Sequence, residues 1–254
     1  MSTQRFARFR IGGQPAWAVR SGHGPFMQLS DAPWSGGEIL TDAVPEDTQL
    51  LPAAAPSKIV CVGRNYAAHA KELGNEVPDF PLLFLKPPSS LIAHGEAIRL
   101  PAISERVDFE GELAVIVGRR LKDGDEAAAK DAVFGYTAAN DVTARDLQRK
   151  DVQFTRGKGF DTFCPLGPSI TRGLDVSDLR VQARVDDERF QDGRTSHMMW
   201  SPLSLLVTIS HIMTLEPGDV VLTGTPPGVA PLRDGDVVAV SIEGLEPLAN
   251  PVKA

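Results

Sequence analysis

Asp108, Glu110 and Glu112 stand at every second residue of VDFEGE, directly ahead of the apolar run at 113–117. In a strand, side chains alternate faces, so these acids point the same way with neighbours roughly 7 Å apart. Like charges at that spacing repel, and burying them without a partner is costly. An acidic strand face left in water is the plain alternative. Two features favour a buried role: the acids run straight into a core-type segment, and Gly111 leaves room for close backbone approach. Paired carboxylates on one face suit a hard cation such as Mg2+ or Mn2+, which takes oxygen ligands. Asp141, after the small residues Ala138 and Ala139, is a candidate third ligand, although Asn140-Asp141 alone also fits a turn or cap.

His69 and Glu72 are three apart in GRNYAAHAKELG. On a helix they share a face, and a carboxylate can orient an imidazole as a general base. A surface pair is the alternative. Lys158 lies between Gly157 and Gly159, in a segment with Phe154, Phe160 and Phe163. It can reach a substrate carboxylate or enolate as a point charge, or sit on a loop in water. Gly159 follows it where a phosphate-binding Walker motif needs Ser or Thr. In LTGTPPGV, Thr225 and the amides of Gly224 and Thr225 can bind an anion; a plain tight loop is the alternative. Arg64 and Lys86 suit a dicarboxylate or a solvated surface equally. His94, His197 and His211 form no ligand pattern. Cys61 and Cys164 lack CxxC spacing, and Cys164 beside Pro165 reads as a packed small residue.

These residues must be positioned by short strands. The segment FARFRIGGQPAWAV is expected to form a hairpin turning at Gly12-Gly13. A Pro/Ala connector at 51–58 then leads to a strand at 59–63. A helix is expected over 66–73, stopped by Gly74. Further strands are expected at 81–86, 107–117, across 136–141 and on both sides of Asp186-Asp187. DEAAAKDAVFG and PLSLLVTISHIM read as helices, and PGDVVLTG and DGDVVAVSIEG as turn-launched strands. The sum is a strand-rich α+β protein, a roll or sandwich rather than alternating βαβ, with a small β-rich unit at 1–55 and a larger one at 56–254.

The 254 residues carry 26 Lys and Arg against 33 Asp and Glu, a net charge of −7. That balance argues against nucleic-acid and anionic-membrane binding. No signal-type segment or membrane-length apolar run is present, so a soluble cytoplasmic protein is expected.

GRNYAAHAKELG, LFLKP, DFEGELAVIVG, NDVTARDLQ, RGKGFDTFCPLGP and PGDVVLTGTPPGV occur in this order. Together they resemble the fumarylacetoacetate hydrolase superfamily over roughly 57–252. The likeness is greatest to short bacterial members described as 2-hydroxyhepta-2,4-diene-1,7-dioate isomerases or acylpyruvate hydrolases. The resemblance implies a mixed β-roll catalytic domain, a homodimer, and Mg2+ or Mn2+ on Glu110, Glu112 and Asp141. It leaves Asp108 to a basic neighbour, gives Lys158, Gln148 and Thr225 to substrate, and gives His69 and Glu72 to water activation in hydrolytic and decarboxylating members. Arg64 joins the substrate-binding candidates. The longer animal hydrolases carry one more acidic ligand before the histidine segment; here Gly63-Arg64-Asn65-Tyr66 has none.

The expected activity is hydrolysis of a C–C bond in an acylpyruvate-type 2-oxo acid through a metal-stabilised enolate. Isomerisation or decarboxylation of an unsaturated dicarboxylic 2-oxo acid is the alternative, because one enolate-stabilising site supports all three reactions. A catalytically idle metal-binding protein comes last.

Overall fold

The computed structural model of the protein describes residues 3–74 and 76–254. A 12-stranded sheet and a 5-stranded sheet dominate it. In the larger sheet, Gln4–Ile11 lies beside Cys164–Arg172, followed by Val133–Asn140, Gly111–Val117, Val220–Leu222, Ile59–Gly63 and Leu82–Lys86. The smaller sheet contains Glu188–Arg194, Arg180–Val185, Val237–Ile242, Leu248–Lys253 and Ile98–Arg99. This is the strand-rich α+β architecture expected.

Gly111–Val117 is buried along its whole length. Leu113, Val115 and Val117 pack with Val181, Val240 and the helix residues Leu205 and Ile209. Ala114 and Ile116 point the opposite way, onto Cys61, Cys164, Leu166 and Ile170. A strand covered on both faces needs apolar residues on both, which is why LAVIV is continuous rather than alternating. Glu112 has the parity of Ala114, and its register partner is Ala139. The small side chain opposite leaves space beside the carboxylate.

The hairpin Gln4–Ile11/Gln14–Ser21 turns at Gly12 and Gly13, with φ values of 56° and 81°. Both positions need the left-handed region that glycine enters at little cost. Gln4–Ile11 also pairs with Cys164–Arg172, so sheet hydrogen bonding runs across the connector expected at 51–58. The helix at Ala67–Glu72 ends where expected, with Gly74 at φ 69°.

The acidic stretch differs from the single continuous strand expected. Val107–Asp108 pairs with Thr143–Ala144 as a separate ladder, and the long strand begins only at Gly111. The break redirects Asp108, which does not join the other acids. It is fully buried and pairs with Arg106 and Arg145.

Candidate active site

Glu110, Glu112 and Asp141 offer oxygens within 4.8 Å of one another, and all are buried. Three backbone features bring them there. Asn140 Oδ1 accepts from the Glu110 amide at 2.9 Å. The Asp141 amide donates to Glu110 O at 2.8 Å, closing the strand end over the break. The Gly224 amide donates to Glu112 Oε2 at 2.7 Å, from a backbone with φ 95° that a β-carbon would drive to 2.7 Å from Asn65 Cβ.

The acids are matched by buried cations. Lys158 Nζ donates to Glu110 Oε2 at 2.8 Å and to Asp141 Oδ2 at 2.6 Å. Lys86 Nζ donates to Asp141 Oδ1 at 2.6 Å and to Val142 O at 3.1 Å. Arg145 bridges Asp108 and Glu110 and donates to Gln148 Oε1 at 2.7 Å. Among the described residues, no Lys or Arg forms an ion pair with Glu112.

The charge states follow from this imbalance. Burial pushes the Glu110 carboxyl up, but Lys158 and then Arg145 outweigh it and hold the group well below the usual range. Burial also pushes Glu112 up, and Asp141 and Glu110 push it further, so it lies well above the usual range. Burial alone would lower Lys158; Asp141 and Glu110 reverse that and keep the ammonium protonated. The structure thus presents three oxygen donors converging on a place where negative charge lacks compensation. A hard divalent cation fits that donor set.

A cavity of about 340 Å³ opens onto the triad and is also lined by Arg64, His69, Gln148, Lys158 and Thr225. Glu72 stands behind His69, with Oε2 3.2 Å from Nδ1. In a neutral ring whose Nδ1 donates to Glu72, the lone pair lies on Nε2. Glu72 Oε1 also accepts from the Gly228 amide at 2.9 Å, which ties the helix to the TGTPPG loop. Lys158 ends the one-turn helix Thr155–Lys158 rather than sitting on an irregular loop. Gly157 is needed there because a β-carbon would lie 2.9 Å from Gln148 Cα. Arg64, at φ 59°, is half-buried on the cavity wall.

Lys86 is not solvated: it is 1% exposed and turned onto Asp141. Its place on Leu82–Lys86, with the parity of Phe84, was the available signal. Arg145, Asn65, Asn140 and Gln191 had no such signal, since each acts through a partner distant in sequence or through the backbone. Cys61 and Cys164 are buried thiols; burial pushes Cys164 up to about 12, which leaves it unreactive.

Gly228 provides a direct test of the Glu72 tether. Its φ is 102°, and a β-carbon would fall 2.1 Å from Phe190 O. Gly228→Ala is expected to displace the loop, remove the amide from Glu72 and cost about 1–3 kcal/mol. Chemical denaturation with a turnover assay checks this; an unchanged midpoint would mean that the loop yields freely.

A buried acid triad, a lysine upon it and a His–Glu pair around one cavity define an enzyme-type site on a mixed β fold. The chain belongs to the fumarylacetoacetate hydrolase family: the family described as fumarylacetoacetate (FAA) hydrolase C-terminal matches residues 58–253. A solved structure described as 5-carboxymethyl-2-hydroxymuconate delta-isomerase from Mycobacterium smegmatis superimposes with a TM-score of 0.91 at 42% identity, over 98% of this chain and 99% of that one. Oxaloacetate decarboxylase, mitochondrial, of Dictyostelium discoideum is 44% identical over 74% of this chain and 90% of its own. Oxaloacetate tautomerase YisK of Bacillus subtilis is 40% identical over 79% of this chain and 71% of its own. These names stand nearer to the isomerase and decarboxylase alternative than to C–C hydrolysis. Among the described residues, no helix is long and apolar enough to cross a membrane.

Proposed function

We propose that the protein enolises a short dicarboxylic 2-oxo acid of the oxaloacetate type, as a tautomerase or decarboxylase, with Mg2+ or Mn2+ on Glu110, Glu112 and Asp141. The observation that carries this reading is Lys158: a buried ammonium that Asp141 and Glu110 favour in its charged form, on the acid triad and facing a small cavity whose wall also holds Arg64. A divalent cation held by the triad would supply Lewis-acid polarisation of the 2-oxo group.

The chain's own residues then have separable roles. Lys158 places positive charge where the 2-oxo oxygen gains negative charge. Arg64 and Gln148 bind the distal carboxylate from the cavity wall. His69, held in one tautomer by Glu72, takes and returns the proton at C3 through Nε2. Val62, Leu73, Phe84 and Phe154 line the same cavity and exclude water from the developing charge. Phe84 and Phe154 meet edge to face at 5.6 Å, closing that side.

Hydrolysis of an acylpyruvate is the second reading, favoured by the His69–Glu72 pair, which suits activation of a water as well as a carbon-bound proton. The test follows the enol signal and pyruvate release from oxaloacetate, with and without added Mg2+, and acylpyruvate cleavage in parallel. Cation-dependent tautomerisation or decarboxylation is expected, and His69→Ala is expected to lower it by about 10²–10⁴-fold. Rapid acylpyruvate cleavage with oxaloacetate untouched would replace this reading by the hydrolase.

A further inference from the structure

Glu112, the triad acid without a Lys or Arg partner, is held by the Gly224 amide, which donates to Oε2 at 2.7 Å. That N–H belongs to the Thr223–Gly224 peptide. The peptide is trans, so its carbonyl points the opposite way. There Asn65 Nδ2 donates to Thr223 O at 2.7 Å. A single peptide plane thus links Asn65, which is fully buried and outside the residues that line the catalytic cavity, to a triad carboxylate on its wall. The Asn65 carboxamide is itself fixed. Oδ1 accepts from Trp200 N at 2.9 Å, and the second Nδ2 proton goes to Trp200 O at 3.0 Å. A backbone N–H cannot accept, so the carboxamide oxygen faces Trp200 N and the NH2 group is left to face Thr223 O.

The rest of the backbone does not impose this orientation. The Thr223 amide and hydroxyl both donate to Leu113 O, at 3.1 and 2.8 Å, which anchors Thr223 but leaves the peptide after it free to rotate. On the other side stands Gly224 at φ 95°, and glycine enters either sign of φ at little cost. A rotated peptide would turn the Thr223 carbonyl toward the Glu112 carboxylate and strand the Asn65 NH2 group in a buried place, which is costly. We propose that Asn65 is a positioning residue: it locks the Thr223–Gly224 peptide with its N–H on Glu112, so that the carboxylate keeps one orientation toward a divalent cation in the triad. The role rests on the cation reading of the triad and not on which 2-oxo acid is turned over.

The test has two readouts that do not depend on turnover. Amide hydrogen exchange of the full chain, resolved by residue with NMR, follows Gly224, with Val115 in the core strand as the control. Binding of Mn2+ alone is followed by electron paramagnetic resonance. In wild type the Gly224 amide is expected to resist exchange. Asn65→Ser is expected to speed Gly224 exchange at least about tenfold with Val115 unchanged, and to weaken Mn2+ roughly five- to tenfold. In a Glu112→Ala background the same substitution is expected to change Mn2+ affinity by less than about twofold, because the path through Glu112 is gone. Asn65→Ala is the second variant if the first does not fold, and fast Gly224 exchange in wild type overturns the proposal without any variant. Unchanged exchange and Mn2+ affinity in the folded Asn65 variants, Gly224 and Val115 loosening together, or an equal loss of affinity in the Glu112→Ala background also overturns it. Wild type that binds no Mn2+ removes the cation reading and this role with it. Failure of oxaloacetate turnover alongside the expected exchange and binding would sink the enolisation reading alone and leave the Asn65 assignment standing.

Discussion

Glu112→Gln is expected to melt higher than wild type by roughly 2–6 °C when both are stripped of divalent cations, and to lose cation-dependent turnover by at least about 10²-fold. Four buried carboxylates, Asp108, Glu110, Glu112 and Asp141, face three buried cations, Lys86, Arg145 and Lys158, and Glu112 is the acid left without an ion pair. Glutamine keeps the size and the oxygen that accepts from Gly224, and removes the repulsion from Asp141 and Glu110. Stability and function are therefore expected to pull in opposite directions at this residue, as they do where a site stores unfavourable charge for a ligand.

The pH dependence has a definite sign. Folding raises the Glu112 pKa, so the folded protein holds a proton that the unfolded chain releases. Metal-free wild type should lose stability as pH rises above the ordinary carboxylate range toward the raised value, and Glu112→Gln should show a smaller slope. Thermal melts in chelator and in Mg2+ across that range check both statements. Wild type melting identically with and without Mg2+, together with a neutral Glu112→Gln, would show that the triad holds no cation.

The parts legible in the sequence were those governed by local rules. The Gly12-Gly13 turn, the Gly74 stop and the strand at Ile59–Gly63 follow from backbone preference and short-range pattern, and the structure has all of them. The convergence of Glu110, Glu112 and Asp141 was visible because Glu110 and Glu112 are two residues apart at the entry to one strand and Asp141 follows a run of small residues at the end of the neighbouring strand. What the sequence hid is the charge balance behind the triad. Arg145 reaches Asp108 across 37 residues, and Lys86 reaches Asp141 across 55. No periodicity encodes such pairs, since they depend on sheet order. The break at Phe109 was hidden for a related reason: alternation in VDFEGE is preserved in the letters, while the pairing partner changes from Thr143–Ala144 to Val133–Asn140.

Arg145→Met should have the largest effect on stability, because Arg145 is the cation shared by two buried carboxylates. It is 2% exposed and bridges Asp108 to Glu110. Removing one partner of a buried pair leaves an uncompensated charge, which typically costs about 3–5 kcal/mol. Asp108 keeps Arg106, whose side chain is 42% exposed, and Glu110 keeps Lys158, so the lower part of that range is expected. Urea denaturation of the single variant and of Arg145→Met/Asp108→Asn separates the causes. If uncompensated charge dominates, the double variant regains part of the loss; if packing dominates, the two unfold at the same midpoint. The same substitution should reach the chemistry, since Arg145 orients Glu110 and donates to Gln148. Cation affinity and substrate KM should therefore both worsen in Arg145→Met even where the protein is fully folded. A folded variant with wild-type values of both would confine Arg145 to stability and leave Lys158 as the cation that sets the state of Glu110.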